Sequence, residues 1–551
     1  MTGRFLILDC YVDEPACFGV PPFISPYPRY IYGALMDAGI PPGRIDYATI
    51  DRLRAEGFRI AAAYEHVFLV GGAVVPGRYL GSHIGTMAEL KKIIETNSRL
   101  NFAVGGLISS VFQHPGNNSL AITGDIEKFA YTLASGNAVD TRRTTDEIAR
   151  WAVLGAPVVA MHPHFPHIIC EMETYRGCPR LNHCSFCSEG LFKTVEFRRA
   201  GDILAEIDSL IATGVSRFRL GRQADILQYG TSFSEFSMGF PRPDPSPVID
   251  LFRQLKDRRD RGLISVLNID NANPGTIARF PRESTQILEA ITDAVTPGDT
   301  MALGIESFDP DVIAHNGLKV TGEEAVEVIR LINKIGGIRR GGIPVILPGI
   351  NLIQGLRGET AETFSINHQW LLRIRDEGLL IKRINIRKLL PFPGTVLYNE
   401  RERTSQKLLN RFEFYRAKIR HDIDIPMLKA IYPPGTLVTD NLLLEHHDGY
   451  SLAKQIASYS ITVKYPVELP LDTFQDAVVT GHRERSLIAL PSPIAVNSLH
   501  QKALELIPGI SKKGASDIII HRPFADLAQF HTFLKERDIH IPDTILRHCT
   551  A

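Results

Sequence analysis

Glu173-Thr174-Tyr175-Arg176-Gly177-Cys178-Pro179-Arg180-Leu181-Asn182-His183-Cys184-Ser185-Phe186-Cys187 places three thiols on one short stretch, with Cys170 just upstream. Soft thiolates at such spacing select zinc or an iron–sulfur cluster. A structural zinc site calls for a fourth ligand, which Cys170, His183 or His167 could supply. An iron–sulfur enzyme calls for three thiolates and one iron left open. On these residues alone both readings stand. The chain of 551 residues has 7 cysteines, four of them between 170 and 187, which reads as a metal site in a reducing compartment and not as a disulfide framework.

Downstream of this stretch the pattern alternates: a helix over 200–213, then strands over 217–220, 265–269, 300–305, 345–353 and 383–389, with a helix over 322–334. That βα alternation predicts a parallel barrel, closed or partial, over 160–400. Upstream, residues 1–155 open with an apolar strand at Phe5-Leu6-Ile7-Leu8, a proline-rich loop from Gly19 to Pro28 and a helix over 29–38. Apolar runs at 66–70 and 101–104 end in Gly71-Gly72 and Gly105-Gly106, so a doubly wound parallel sheet is expected. Those glycines either admit a ligand to the backbone or make ordinary strand-to-helix turns, and no GxGxxG fingerprint is present.

Residues 404–428 are charged and helical, a connector; 430–492 are short β-rich runs between Pro and Gly, a small barrel; 497–551 are helical. The fold class is α/β. Lys+Arg and Asp+Glu both total 61, so contact with nucleic acid has to come from local basic patches. No apolar run approaches the ~20 residues that span a bilayer, and a cytoplasmic protein without membrane partners is expected.

Arg176-Gly177-Cys178, Cys184-Ser185-Phe186-Cys187, Phe197-Arg198-Arg199 and the helix start at Asp202 together resemble the cluster loop and first helix of radical S-adenosylmethionine (SAM) methylthiotransferases. That family has three residues between its first two cysteines where this chain has five, so the loop must bulge. The resemblance runs through most of 170–400, with Gly214 to Gly230 similar to the second strand and its loop. Gly304-Ile305-Glu306-Ser307 and Ile353 to Thr360 are similar to the fourth and fifth strand ends. It implies a 4Fe–4S cluster on Cys178, Cys184 and Cys187, SAM contacts from Phe186, Gly221, Gln223 and Glu306, and reductive cleavage of SAM to a 5'-deoxyadenosyl radical. Electrons would come from a low-potential donor such as ferredoxin or flavodoxin. A strand-tip carboxylate such as Glu306 lies on the face that carries chemistry in parallel barrels, or else caps backbone amides.

Methylthiotransferases carry a second cluster on three N-terminal cysteines; here Cys10, Cys17 and Cys170 are the trio that could form one. The Pro21-Pro22 loop and the helix around Tyr30-Ile31-Tyr32-Gly33-Ala34-Leu35 instead resemble the N-terminal domain of cobalamin-binding radical SAM enzymes, although no DxHxxG motif is present and His83 has the wrong spacing. Residues 430–492 resemble the TRAM barrel of RNA-modifying methylthiotransferases, with Arg483 and Arg485 as phosphate contacts. Leu506 to Ala515 reads as a helix-hairpin-helix whose Gly509, Lys512 and Lys513 would meet a nucleic-acid backbone, or as a packing unit. The whole arrangement is similar to archaeal Fe–S oxidoreductases ending in a helix-hairpin-helix. The expected function is methylation or methylthiolation of RNA, tRNA or rRNA. The alternatives are a cobalamin-dependent methyltransferase acting on a protein side chain or small metabolite, and a nucleic-acid-binding protein with a structural cluster.

Overall fold

Strands Arg4–Asp9, Ile45–Thr49, Tyr64–Val70, Asn101–Gly105 and Ser119–Ala121 form a wholly parallel sheet, with Ile45–Thr49 outside the first strand and the others following on its far side. The computed structural model describes residues 3–14, 16–72, 79, 81–113, 116–138, 140–400 and 405–551. This strand order is doubly wound, with the ligand crevice of such sheets at the carboxyl ends of the first and third strands. Here the chain's own backbone fills that place. A Cβ on Gly72 would meet Asp13 N and Val12 Cα at 2.7 Å, and one on Gly106, at φ +82°, would collide with Gly71 O. The glycine pairs are therefore close-packing positions. The strand Ile45–Thr49 has no counterpart in the sequence reading because Asp46 interrupts its apolar run; that carboxylate takes Arg4 at 2.6 Å on the surface.

Phe23–Ile24 leaves the proline-rich loop and pairs in parallel with Ile169–Glu173, stitching the N-terminal segment into a second sheet. From there Arg217–Arg222 and Val266–Ile269 follow. Across one bridge from Ala272 to Leu303 come Asp299–Glu306, Ile346–Gln354 and Arg383–Lys388, every pairing parallel. This is the partial barrel expected of 160–400. Its helices obey their end signals: Ala200–Thr213 stops at left-handed Gly214, and Gly322–Gly336 starts from the Thr321/Glu324 capping box. The helix expected over 29–38 is Pro26–Asp37, because Pro26 and Pro28 sit in its first turn, where no N–H is needed.

The connector runs from Gln406–Ile419 through a π-turn at Arg420–Asp424 into Ile425–Ile431; its expected first residue, 404, lies outside the described residues. Leu437–His447, Tyr450–Gln455, Thr462–Tyr465, Ser486–Pro491 and Phe474–His482 then close a five-stranded barrel. The last segment is not helical throughout. After helices Gln501–Leu504, Lys512–His521, Leu527–Glu536 and Asp543–Leu546, Cys549–Thr550 returns to pair with Ile494–Ala495. Among the described residues no helix is long and apolar enough to cross a membrane.

Candidate active site

The cysteine loop springs from the carboxyl end of Ile169–Glu173. Tyr175–Arg176 pairs antiparallel with Glu196–Phe197 across its base, and Gly177 turns the chain at φ +90°. Cys187 N–H donates to Cys184 O at 3.2 Å, Ser185 Oγ donates to Asn316 Oδ1 at 2.8 Å, and Leu397 N–H donates to Ser185 O at 3.0 Å. The loop is thus pinned by the end of helix Pro310–Asn316 and by the chain near 397. The long spacer between the first two cysteines bulges outward, with Leu181 63% exposed and its N–H on Gly239 O at 3.0 Å. Arg180 turns back from the bulge to donate to Cys184 Sγ at 3.2 Å and to Gly317 O at 3.1 Å, over the Phe240 ring.

The three thiols are free, and Cys184 lies near enough to Cys178 and Cys187 to add to the rise that burial gives their pKa. Burial pushes Cys178 up to about 11 and Cys187 higher still. Thiolates here need positive charge, which Arg180 and Lys319 bring. Burial works against the Lys319 ammonium, but Cys184 and Glu306 hold its pKa above the usual lysine range. Among the described residues the zinc alternative gains no fourth donor: His183 Nε2 lies 3.4 Å from Cys178 O, His167 packs edge-on against Phe474, and Cys170 is in the barrel core beside Arg29.

Glu306 ends its strand at φ +68°, a left-handed conformation that costs a non-glycine residue about 1–3 kcal/mol and marks functional sites. Its Oε1 is 3.7 Å from Lys319 Nζ, which also donates to Gly304 O at 2.9 Å, while its buried Oε2 has no hydrogen-bond partner. Burial raises its carboxyl above the usual range, and Lys319 and Arg387 only partly oppose this. A Cβ on Gly304 would meet Glu306 Oε1 at 2.7 Å, so that glycine makes the room.

A family model described as the radical SAM superfamily matches residues 172–357, which contain both the cysteine loop and Glu306. The chain belongs to the radical SAM superfamily. It is therefore an enzyme of the radical SAM type, with a 4Fe–4S cluster and SAM as cofactors. It is also similar, at 37% identity over 529 residues, to an uncharacterized protein of Archaeoglobus fulgidus, covering 95% of this chain and 96% of that one. An uncharacterized protein of Methanocaldococcus jannaschii is 36% identical over 512 residues, 88% of this chain and 93% of that one. Among solved structures, the radical SAM methyltransferase TsrM from Kitasatospora setae, with cobalamin and a [4Fe-4S] cluster bound, aligns at TM-score 0.47 and 15% identity over 73% of this chain and 78% of that one.

The donor types fit the cofactors of a radical SAM enzyme: three thiols on one pinned loop, near enough for their charges to interact although among the described residues no three such side chains are gathered into a metal-binding group, and an orphan buried carboxylate oxygen for a charged donor such as the SAM amino group. Phe186 packs against a small apolar cluster of Val312, Leu318, Leu356 and Leu397 beside the loop. Of the other two expected SAM contacts, Gly221 is at a place where a Cβ would collide with the Glu171–Arg219 ion pair, and the Gln223 side chain accepts from Thr174 Oγ1 at 3.2 Å and donates to Leu220 O at 2.7 Å. Arg180 and Lys319 are missed by sequence reasoning, since a lone cation in a loop carries no spacing signal.

Cys10, Cys17 and Cys170 are not brought together. Cys10 belongs to one core, packed on Gly85, whereas Cys17 and Cys170 lie in another. Cys17 has Glu14 and Glu171 as its charged neighbours and Cys170 has Arg29 and Glu206. His83 is exposed, its carbonyl accepting from Arg54 at 2.8 Å. The expected nucleic-acid residues also divide. Lys512 and Lys513 are exposed at the start of a helix capped by Ser511. Gly509, at φ +92°, is bare because a Cβ would collide with His540 O, so this turn backs onto the chain itself. Arg485 stands at the mouth of an internal cavity, while Arg483 is exposed.

That cavity, about 590 Å³, is walled by the N-terminal loops around Asp13–Phe23, the inner strands of the radical SAM barrel and the C-terminal barrel. Arg387, in its wall, is one of the charges acting on Glu306.

Proposed function

We propose that this enzyme holds its cluster on Cys178, Cys184 and Cys187, takes SAM against Glu306, and transfers to a small substrate in the adjoining cavity a methyl group drawn from a second SAM, which leaves as S-adenosylhomocysteine. It would work in the cytoplasm, with a ferredoxin or flavodoxin as electron donor. The observation that carries this reading is an orphan carboxylate oxygen on Glu306, at the carboxyl tip of a parallel strand, together with a pinned loop that holds Cys178, Cys184 and Cys187 near enough for their charges to interact. When bound and reduced, the cluster supplies the electron that cleaves SAM. Arg180 and Lys319 set positive charge beside the thiolates, Lys319 also steadies Glu306, and Phe186 closes the apolar side. Methyl transfer is favoured over methylthio transfer because Cys10, Cys17 and Cys170 are dispersed and offer no second cluster as a sulfur source.

Glu306→Gln keeps the shape and removes the charge. A hydrogen bond to a charged group contributes about 1.5–3 kcal/mol, so the reconstituted variant is expected to bind SAM roughly 10- to 100-fold more weakly in equilibrium dialysis. Unchanged affinity would remove Glu306 from the SAM site.

A second reading, RNA as substrate, is favoured by Lys512 and Lys513, exposed where helix N–H groups and the dipole attract phosphate. On it, the closed barrel is TRAM-like and the helix pair a helix-hairpin-helix. Lys512→Glu with Lys513→Glu should then weaken RNA binding across sequences and flatten its log–log salt slope by about 0.7–0.9 for each lost phosphate contact. Equal RNA affinity of the two proteins at low and high salt sinks this reading.

A further inference from the structure

The wall of the cavity near Glu306 carries three cations, Arg383, Lys454 and Arg485, that no carboxylate pairs among the described residues. Its carboxylates are already engaged. Asp270 pairs with Arg219, Asp424 with Arg420, Asp13 accepts from Tyr79, and Glu14 accepts from Tyr27 and from Leu107 N–H, both at 3.1 Å. Asp472 and Glu484 are exposed at the mouth. Against these, the side chains of Arg383, Lys454 and Arg485 line the cavity without a hydrogen bond or ion pair among the described residues, and the buried Arg383 Nε has no partner. Arg387 hydrogen-bonds the Asn385 amide oxygen, in the amide orientation that satisfies both groups, and although burial works against its charge, Asp13 and Glu306 are near enough to help hold its pKa above the usual range.

Holding unpaired charges away from water is costly unless something of opposite sign completes the site. Burial lowers the pKa of Arg383 and Lys454, and the neighbouring cations Arg383 and Arg485 lower that of Lys454 further. An anion in the cavity would relieve both effects. Part of the wall is aromatic and aliphatic: Phe18 lies 4.7 Å from Phe23 and 5.6 Å from Tyr79, and Leu442 and Leu444 also line the cavity. Tyr459, 4.8 Å from the Arg383 guanidinium, orients that fork. A volume of about 590 Å³ suits a small ligand, and planar guanidinium forks match phosphate oxygens two at a time.

We propose that the cavity binds a small phosphate-bearing substrate, its phosphate between Arg383, Arg387 and Lys454 and its apolar body against Phe18, Phe23 and Tyr79. This rests on the small-substrate reading above and names the substrate's class. The charged end would be fixed on the barrel's last strand, whose Arg387 also acts on Glu306.

The test is calorimetric titration of the full chain with phenyl phosphate, benzoate and benzyl alcohol. Phenyl phosphate should bind one per chain, and Arg383→Gln with Lys454→Gln should weaken it at least tenfold. Benzoate and benzyl alcohol should each bind at least tenfold more weakly than phenyl phosphate. Equal affinity in the double variant, or equal binding of either control ligand, overturns the proposal. Should the double variant misfold, hydrogen exchange on the unsubstituted chain decides: phenyl phosphate must protect Arg383–Lys388 and Tyr450–Gln455, and no protection counts against the site. The readout uses neither iron nor SAM cleavage. Phosphate binding retained in a chain that cannot hold a cluster would separate failure of the radical reading from failure of this one.

Discussion

The triple variant Cys178→Ala, Cys184→Ala, Cys187→Ala, reconstituted anaerobically, is expected to retain essentially no cluster iron where the unsubstituted chain binds about four irons, the content of one 4Fe–4S cluster. Its conversion of SAM to 5'-deoxyadenosine should fall below detection. The size of the effect follows from the loop's construction. The three thiols share a segment pinned by Asn316 and Leu397, and the cysteines upstream of it are buried elsewhere, Cys10 in one core and Cys17 and Cys170 in another. Fold should survive, because Cys178 and Cys187 are half-buried and the pinning bonds of the loop come from Ser185. Iron and cleavage undiminished in this variant would remove the cluster assignment.

The second large effect is on stability. Glu206 accepts from Arg29 Nε and Nη2 at 3.1 and 2.9 Å and from Arg198 Nη1 at 2.6 Å, with Arg29 and Glu206 both fully buried. Arg29 also donates to Glu171 O at 2.6 Å, so this network ties the first helix to the first barrel strand and the first barrel helix. Glu206→Ala leaves two guanidinium groups without their carboxylate in the interior, a loss of about 3–5 kcal/mol. The transition that includes the barrel should drop by roughly 6–20 °C in differential scanning calorimetry. Breaking the exposed Arg253–Asp250 pair by Asp250→Ala should change stability by less than about 1 kcal/mol. Similar shifts for the two variants would contradict the role of the buried network.

The same buried charges explain where the sequence was hard to read. The strands at 300–305 and 345–353 stand out as apolar runs, and the structure has them at Asp299–Glu306 and Ile346–Gln354. The barrel's first strand, Ile169–Glu173, alternates with glutamates that look solvent-facing. Glu171 is in fact buried against Arg219, and Glu173 against Arg143, partners that lie far off in the chain. Gly221 is ambiguous in sequence for a related reason, since a bare Cα at a strand end marks either a ligand or a tight neighbour, and Glu171 is such a neighbour. The cysteine loop was legible because its signal is local. The cavity was not: Arg383, Lys454 and Arg485 come from three separate strands or turns, and each alone resembles an ordinary surface charge.

The most direct test of the account is the electron paramagnetic resonance spectrum of the reduced, reconstituted enzyme before and after SAM is added. Three protein thiolates leave one iron of the cluster open, so SAM should shift the signal's g-values, and Glu306→Gln should require more SAM for the same shift. A reduced-cluster spectrum that does not change at saturating SAM would mean the cluster has no open iron, and would contradict the assignment of this site to radical chemistry.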